Sequence, residues 1–351
     1  MKWEENVRKV VPYTPGEQPK EENVIKLNTN ECPYPPAPGI VRKIEQLDVD
    51  KMRLYPAFPE QTDLAQELAD YYHLSKDQIF IGVGSDDVLS MAFLTFFHSE
   101  KPILFPDITY SFYDVWAQVY RIPYETKALD ENFRIRPEDY RQPNGGVIFP
   151  NPNAPTGIFM ETEQVEEIIA NNRDVVVIVD EAYIDFGGVS VLPLIEKYDN
   201  LLVVQTFSKS RAMAGMRIGY AMGNPKLIKY MNDVKYSVNS YTMNYAALQL
   251  GAESVKDVAY FKECCNKIVK TRNRAEQELT RLGFTFPKSS ANFIFASHRE
   301  VPAGEIFRKL KEKGIYVRHW DKDRIGNYLR ITIGTDEQME TFYQALETIL
   351  Q

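Results

Sequence analysis

Two short apolar runs, each followed at once by polar residues, constrain the fold of this chain most strongly. Residues 175–179 are valine and isoleucine only, and Asp180 follows them. Residues 201–207 are mostly apolar, and Ser208 and Lys209 come next. Such runs are typical of strands buried on both faces of a parallel sheet. Because ligands of open α/β sheets lie beyond the carboxyl ends of the strands, Asp180 and Lys209 are candidate site residues.

The order of the elements predicts an α/β fold with three parts. Over residues 31–245, strands alternate with helical stretches, which predicts a mostly parallel sheet with helices on both faces. Residues 246–351 show one long helix followed by short strands and a final helix, which predicts a smaller α+β domain. Thr335 and Gln338 have the spacing of a capping box at the start of that final helix. Residues 1–30 are proline-rich with little periodicity. We expect them to form an extended arm that packs across the body or a partner subunit.

Composition excludes several classes of protein. The formal net charge of −8 argues against a nucleic-acid-binding surface, which is normally basic. No apolar run approaches the roughly 20 residues of a membrane span, and the charged N-terminus lacks the apolar core of a signal peptide. Three cysteines make no disulfide framework, so we expect a cytoplasmic protein. Neither the cysteines nor the four histidines have metal-site spacing, so we expect no metal.

The residues around Lys209 favour one cofactor. A lysine at the end of an apolar strand is costly to leave charged and unpaired, and desolvation suits it to Schiff-base chemistry. Hydroxyls stand three residues before it (Thr206) and directly before it (Ser208), and Arg217 stands eight residues after it. These groups suit a phosphate close to the lysine. A molecule that needs both an imine and a phosphate anchor is pyridoxal 5'-phosphate (PLP).

Two further segments suit the same cofactor. The Asp180 carboxylate could pair with a protonated pyridine nitrogen, and Tyr183 could reach the neighbouring phenolic oxygen. Residues 79–89 predict a strand, a glycine turn and a helix start, where the backbone amides of Ser85 and Asp86 could hold a phosphate. Each piece has a plainer interpretation: a helix N-cap for Asp180 and a tight turn for the glycines.

These motifs, taken in order, resemble the fold-type-I PLP-dependent aminotransferases. The set consists of Gly84-Ser85-Asp86, the Asn-Pro-Asn-Ala-Pro-Thr-Gly segment at 151–157, Asp180-Glu181-Ala182-Tyr183, and Thr206-Phe207-Ser208-Lys209 with Arg217. Motifs near both ends are similar to those of the histidinol-phosphate aminotransferase family, so the resemblance covers nearly the whole chain. They lie at residues 11–16, 25–31, 53–56, 290–293, 317–318 and 328–335.

The resemblance implies a role for each cofactor-binding residue. Lys209 would form the Schiff base with PLP and move the substrate proton, Asp180 would keep the pyridine nitrogen protonated, and Tyr183 would bond the phenolic oxygen. The phosphate would be held by Ser85, Asp86, Thr206, Ser208 and Arg217. Tyr110 matches the aromatic residue that stacks on the ring, although a core aromatic is the alternative. Tyr55 matches a residue that reaches the PLP phosphate of a neighbouring subunit, which implies a homodimer.

The resemblance also assigns substrate contacts and contains one departure. Arg330 would bind the carboxylate of the amino-acid donor, and Tyr13 and Arg318 would lie near the phosphate or carboxylate end of the substrate. A surface ion pair is the alternative for Arg318. Many relatives carry a second Asn directly before Pro-Thr-Gly, where this chain has Ala154. We expect Asn153 to supply the missing bond to the phenolic oxygen through a shifted turn.

The implied reaction is amino transfer between L-histidinol phosphate, a phosphorylated amino alcohol, and glutamate or 2-oxoglutarate. Threonine-phosphate decarboxylases share most of the motifs, so a PLP lyase stays open, as does an aromatic amino-acid aminotransferase. A PLP-sensing regulator is disfavoured because no DNA-binding unit fits before Tyr13. The sequence cannot show the angle between the α-carboxylate and the ring, which separates decarboxylation from transamination.

Overall fold

The computed structural model describes residues 2–21 and 23–351. Its α-helices are α1 (Gly39–Glu45), α2 (Asp63–Tyr72), α3 (Gly84–Phe96), α4 (Tyr113–Tyr120), α5 (Thr162–Ala170), α6 (Pro225–Val238), α7 (Tyr245–Lys256), α8 (Val258–Arg281), α9 (Ala303–Glu312) and α10 (Asp336–Leu350). Its strands are β1 (Ile25–Lys26), β2 (Ile79–Gly82), β3 (Ile103–Pro106), β4 (Tyr124–Lys127), β5 (Val147–Pro150), β6 (Val177–Asp180), β7 (Leu201–Thr206), β8 (Gly219–Gly223), β9 (Phe284–Thr285), β10 (Phe293–His298), β11 (Ile315–Tyr316), β12 (Arg318–His319) and β13 (Leu329–Thr332).

The central sheet has seven strands in the order β2-β8-β7-β6-β5-β3-β4. The pairs from β7 to β4 are parallel, whereas β8 runs antiparallel to both β7 and β2. The predicted mostly parallel sheet is therefore confirmed. The antiparallel β8 begins at Gly219, opposite the end of β7 and next to the start of α3, which brings these chain segments together at one edge of the sheet.

Both faces of this sheet are buried, as the apolar runs predict. Along β6 and β7, Val177, Val179 and Val203 pack in one apolar cluster, whereas Ile178 and Leu202 pack in another. Successive strand residues point to opposite faces, so these are the two sides of the sheet. Side chains of α2, α5 and α7 fill the first cluster, and those of α3, α4 and α6 fill the second. The sheet is a middle layer between helices.

A smaller unit follows the central sheet. Strands β12, β13, β10 and β9 form an antiparallel sheet in that order, and its core includes side chains of α8, α9 and α10. The predicted capping box of α10 is confirmed, since Thr335 and Gln338 exchange hydrogen bonds. The apolar residues of α7, such as Leu248, pack beneath the large sheet. The predicted division after residue 245, which is the first residue of α7, stays a prediction.

The end of the N-terminal arm is tied to the smaller unit. Strand β1 pairs in parallel with β11, with Ile25 opposite Ile315. Leu27 is buried in the core of the smaller unit, and its carbonyl accepts a hydrogen bond from the Thr332 backbone (3.0 Å). Most residues before this point are exposed. Residues 28–30 therefore leave the smaller unit at a defined place, next to the edge of the central sheet.

A buried carboxylate joins the ends of β6 and β7. Glu181 accepts hydrogen bonds from Gln205 Nε2 (2.8 Å), Val191 N (2.8 Å) and Ser190 Oγ (2.6 Å). Burial raises the pKa of Glu181 to about 7, and these hydrogen bonds oppose the rise. The network fixes both strand ends from one side. It thereby fixes the positions of Asp180 and of the segment that leads to Lys209.

Within residues 2–21 and 23–351, no helix combines the length and apolar character needed to cross a membrane.

Candidate functional site

Three chain segments meet beyond the carboxyl edge of the central sheet. Strand β6 ends at Asp180, β7 ends at Thr206 and leads to Lys209, and β2 leads into α3 at Gly84. This edge is where open α/β sheets bind ligands. The predicted residues of these segments therefore lie at the same edge of the sheet, beyond the carboxyl ends of its parallel strands.

Lys209 extends from the loop after β7 toward the arm. Its Nζ donates to the Thr29 carbonyl oxygen (3.2 Å) and lies 5.7 Å from the centre of the Tyr183 ring. The two serines that flank Lys209 in the chain are hydrogen-bonded. Arg217 Nη1 donates to Ser208 Oγ (3.3 Å), and Ser210 Oγ donates to an Asp185 carboxylate oxygen. The lysine is half-buried, and within residues 2–21 and 23–351 no carboxylate is hydrogen-bonded to it.

Asp180 is a buried carboxylate with two protein donors. The Tyr113 hydroxyl donates to Oδ2 (3.0 Å), and the Ala182 backbone donates to Oδ1 (3.2 Å). Burial raises the pKa of Asp180 to about 6, and the two hydrogen bonds oppose the rise. An ionised carboxylate in such a place needs a cation. Tyr113, which holds it, was not identified from the sequence.

Ser85 and Asp86 lie in the first turn of α3, where backbone N–H groups have no partner within the helix. Arg217 Nη2 donates to Asp86 Oδ2 (3.3 Å) while its Nη1 donates to Ser208 Oγ. The positive helix end, the arginine and the Ser208 hydroxyl are thus adjacent. This is the donor set that a phosphate requires.

Two glycines allow this close approach. A Cβ on Gly84, where φ is +82°, would lie 2.5 Å from Arg217 Nη2. A Cβ on Gly219 would lie 2.2 Å from the Ser85 backbone nitrogen. Both distances are shorter than a real contact permits. Only glycine therefore lets β8 and Arg217 meet the start of α3.

Thr206 and Tyr110 border the same region. Thr206 Oγ1 donates to the Ile218 carbonyl oxygen (3.3 Å) and accepts from the Ser208 backbone (3.1 Å). The Tyr110 hydroxyl donates to Asp86 Oδ1 (2.7 Å). Burial, together with Asp86, raises the pKa of Tyr110 well above its usual range. The hydroxyl of Tyr110 is thus hydrogen-bonded to the first turn of α3.

Both N–H groups of the Asn153 side chain already have acceptors within the protein. Its Nδ2 donates to the Ile108 carbonyl oxygen (3.0 Å) and to Thr156 Oγ1 (3.1 Å). A side-chain amide has two N–H groups, so both are used. The bond that we predict from Asn153 to a phenolic oxygen stays a prediction. Another amide, that of Asn30, donates to the Tyr183 hydroxyl (2.9 Å). Asn30 lies within the motif at residues 25–31, but the sequence indicates no role for its side chain.

Arg330 lies on β13 with its guanidinium between two aromatic rings. Its central carbon is 5.4 Å from the ring centres of both Phe293 and Trp320. Nη2 donates to the Asn28 carbonyl oxygen (2.8 Å), whereas Nε is buried and has no hydrogen-bond partner among the described residues. Burial lowers the pKa of Arg330. A buried N–H of a cation without an acceptor is the feature that an anionic ligand would satisfy.

The arm crosses the site through Tyr13 and the two residues after it. The Tyr13 ring stacks on Phe112, with ring centres 4.2 Å apart. Arg318 donates from Nη1 to the Pro15 carbonyl oxygen (3.1 Å) and from Nη2 to that of Thr14 (3.0 Å). Burial raises the pKa of Tyr13, and the charges of Arg330 and Arg318 oppose the rise. Arg318 thus holds the arm beside Arg330.

Tyr55 lies on the surface. It is 80% exposed and stacks on Tyr241, which is also exposed, with ring centres 4.5 Å apart. Further exposed apolar side chains lie near Tyr55 or near Tyr241 in sequence. They are Val41, Ile44, Val49, Met52, Leu54 and Val238.

In the part of the chain that the structure describes, no group of three or more His, Cys, Asp or Glu side chains could hold a metal ion. Cys32, Cys264 and Cys265 are free thiols.

Comparisons with known proteins agree on one family. The sequence profile of aminotransferase class I and II matches residues 22–346. The histidinol-phosphate aminotransferase of Lactococcus lactis subsp. cremoris (strain MG1363) is 49% identical over 351 residues, which cover 100% of this chain and 98% of the relative. That of Clostridium beijerinckii (strain ATCC 51743 / NCIMB 8052) is 49% identical over 348 residues, covering 99% and 97%.

A solved structure shares the fold. Histidinol-phosphate aminotransferase from Sinorhizobium meliloti, in complex with pyridoxal-5'-phosphate, superposes with a TM-score of 0.85 at 24% identity, covering 93% of this chain and 90% of that chain. The predicted resemblance, fold and cofactor are confirmed. The chain belongs to the class I and II aminotransferase family and is a PLP-dependent aminotransferase.

Proposed function

We propose that the protein transfers an amino group between L-histidinol phosphate and 2-oxoglutarate or glutamate, as a step of histidine biosynthesis. The full-length identity of 49% to histidinol-phosphate aminotransferases supports this substrate pair. The observation that carries it within the structure is Arg330, whose buried Nε has no hydrogen-bond partner in the part of the chain that the structure describes. An anion-binding cation beside the Lys209 and Asp180 site suits both substrates, since glutamate offers a carboxylate and histidinol phosphate offers a phosphate ester.

The residues present fit PLP. The phosphate would be held by Ser85, Asp86, Thr206, Ser208 and Arg217, and Tyr110 would stack on the ring. Lys209 would reach the aldehyde carbon, Asp180 the ring nitrogen, and Tyr183 the phenolic oxygen. When bound, PLP withdraws electrons from the carbon that carries the amino group.

The protein's own groups would then do three things. Asp180, whose burial raises its pKa to about 6, would be ionised at neutral pH next to a protonated ring nitrogen, and each charge would compensate the other. Lys209 Nζ would act first as a general base, taking the proton from the substrate carbon. It would then act as a general acid and donate that proton to a second atom. The fixed backbone at Ser208 and Ser210 keeps that amine within reach.

Asp86 would contribute its carboxylate as well as its backbone amide. We expected only the amide to act, at the start of α3. Its two carboxylate oxygens accept from Arg217 Nη2 and from the Tyr110 hydroxyl. We therefore assign Asp86 the additional role of orienting the phosphate-binding arginine and the stacking tyrosine together.

For the substrate, Arg330 would bind the anionic end, with Tyr13 close to it. Arg318 would act indirectly, because both of its terminal nitrogens donate to the arm carbonyls of Thr14 and Pro15. Holding the arm would keep Tyr13 over the site and exclude water. Arg318 could still add charge to the anion site, as we predict from the sequence.

We further propose a homodimer in the cytoplasm, with each active site shared. Tyr55, its stacking partner Tyr241 and further apolar side chains near them in sequence are exposed, which an interface would explain. A closed twofold assembly would bury these side chains and let Tyr55 reach the PLP phosphate of the partner. The three free thiols fit a reducing compartment.

The reaction itself is tested by product analysis. We expect the wild-type protein to form glutamate from L-histidinol phosphate and 2-oxoglutarate, because both anions fit Arg330. Lys209→Ala should lose at least about 10³-fold of that rate, since it lacks the proton-transferring amine. Lys197→Ala, on the exposed lysine paired with Glu166, is the control and should stay near wild type. Release of CO₂ from threonine phosphate without amino transfer would instead identify a lyase.

The anion site is tested by Arg330→Ala. We expect both half-reactions to slow, because one guanidinium serves the carboxylate and the phosphate ester in turn. Loss of a buried charged contact should cost roughly 2–5 kcal/mol in each. Single-turnover absorbance changes separate the halves. The rates of Arg330→Lys should fall between those of the wild type and Arg330→Ala, since an ammonium cannot bond an anion at two points. A normal rate with glutamate in Arg330→Ala would show that this residue does not bind the carboxylate.

The shared site is tested by mixing two inactive variants. Once Tyr55→Phe alone is shown to be severely impaired, mixing it with Lys209→Ala should restore partial activity, because one site of each hybrid dimer carries neither lesion. The control mixes Lys209→Ala with a chain carrying both substitutions, which leaves no intact site. A monomer that is fully active in sedimentation analysis would contradict the proposal.

A further inference from the structure

Asn30 is a buried residue that contacts both the arm and the cofactor site. It lies at the point where residues 28–30 leave the smaller unit, is 1% exposed and has a positive φ of 57°. We propose that Asn30 is a positioning residue, which makes the Tyr183 hydroxyl a hydrogen-bond donor toward the phenolic oxygen of PLP. The inference rests on the cofactor site proposed above and deepens it.

Four hydrogen bonds fix Asn30. Its backbone N–H donates to Thr332 Oγ1 (3.0 Å), and the Thr332 hydroxyl donates in return to Asn30 Oδ1 (3.0 Å). Asn292 Nδ2 donates to the Asn30 carbonyl oxygen (2.9 Å). The remaining polar group, Nδ2, donates to the Tyr183 hydroxyl (2.9 Å). The side chain thus connects the end of β13 to the loop after β6.

The orientation of the Asn30 amide follows from Thr332. That hydroxyl already accepts from the Asn30 backbone, so its own hydrogen needs an acceptor. Asn30 Oδ1 provides the acceptor. If the amide were flipped, the O–H of Thr332, which is 2% exposed, would be buried without a partner. Nδ2 therefore faces Tyr183 and not Thr332.

This orientation sets the direction of the Tyr183 hydroxyl. Its oxygen receives the Asn30 N–H, so its own hydrogen must point elsewhere. Within residues 2–21 and 23–351, that hydroxyl has no second hydrogen-bond partner. The ring is held edge-on to Phe293, with centres 5.1 Å apart at 90°, and Lys209 Nζ lies 5.7 Å from its centre. The free O–H thus belongs to a fixed ring beside the lysine.

The departure at Ala154 makes this direction more important. The chain has no amide at that position, and both N–H groups of Asn153 are used by Ile108 and Thr156. Tyr183 is then the donor that the phenolic oxygen depends on. The Asn30 amide, which donates to Tyr183, thus compensates for the amide that is missing at position 154.

The pH at which bound PLP changes its visible absorption reports this bond. A hydrogen bond donated to the phenolic oxygen stabilises the negative charge on that oxygen. The phenolic oxygen then holds less strongly the proton that it shares with the Lys209 nitrogen. Removing the bond should therefore raise the midpoint pH. Asp180, Arg330, Asp86 and the hydroxyls of Tyr13 and Tyr110 also surround the site, so variants must be compared with all of these unchanged.

The experiment titrates the visible absorption of the PLP-loaded protein. We expect Asn30→Ala to raise the midpoint by about one unit, the equivalent of one hydrogen bond. Asn30→Asp should raise it further, because a carboxylate would accept the Tyr183 hydrogen and turn it away. Tyr183→Phe should raise it at least as far as Asn30→Ala. In the Tyr183→Phe background, Asn30→Ala should add no further shift, since the residue acts through Tyr183.

Asn172→Ala controls for general loss of stability. Asn172 is also buried and donates to the Tyr140 and Ile168 carbonyl oxygens at another place in the fold. It should lower the thermal midpoint and leave the titration unchanged. If Asn30→Ala does not fold, Thr332→Val removes the hydroxyl that orients the amide and should raise the midpoint in the same direction.

The outcomes separate the inference from the proposed function. Wild-type protein that gains no visible absorption with PLP would refute the cofactor site, and the inference with it. Normal PLP binding with an unchanged midpoint in Asn30→Ala would overturn the inference alone. A further shift from Asn30→Ala in the Tyr183→Phe background would also overturn it, because Asn30 would then act by another route.

Discussion

The site depends on the burial of the Asp180 carboxylate. A carboxylate 4% exposed at the end of a central strand is unfavourable when ionised, and its pKa rises to about 6 as a result. Tyr113 and Ala182 orient it without neutralising it. A cationic ring nitrogen would remove the electrostatic penalty. The apolar layers on both faces of β6, which stabilise the fold, are thus what tune this group for PLP.

Residues 28–30 join the two structural units at that site. The carbonyl of Asn28 accepts from Arg330, that of Thr29 accepts from Lys209, and the side chain of Asn30 donates to Tyr183. Arginine, lysine and tyrosine are the proposed anion-binding, proton-transferring and ring-orienting groups. Their side chains converge on one short segment that β1 and Leu27 anchor to the smaller unit. Movement of that unit would therefore be transmitted to all three groups.

The sequence predicted the sheet, its buried strands and the positions of Asp180 and Lys209, because apolar runs with polar ends report burial directly. It also predicted the start of α3 and the capping box at Thr335, which depend on residues close in sequence. The sequence did not predict the hydrogen bonds of Asn30 and Tyr113 to the site, because their partners lie 153 and 67 residues away. An isolated Asn or Tyr carries no periodic signal that would reveal such a contact. The antiparallel direction of β8 was missed for a similar reason, since it depends on tertiary packing.

Borohydride reduction of the PLP-loaded protein, followed by peptide mapping, tests the central claim most directly. The claim is that the carboxyl edge of the sheet holds PLP with Lys209 as its covalent partner. We expect the visible absorption to disappear on reduction and one stable cofactor adduct to be found on Lys209. The Lys209→Ala variant should carry no adduct. An adduct on a different lysine, or a protein that never acquires visible absorption with PLP, would contradict the account.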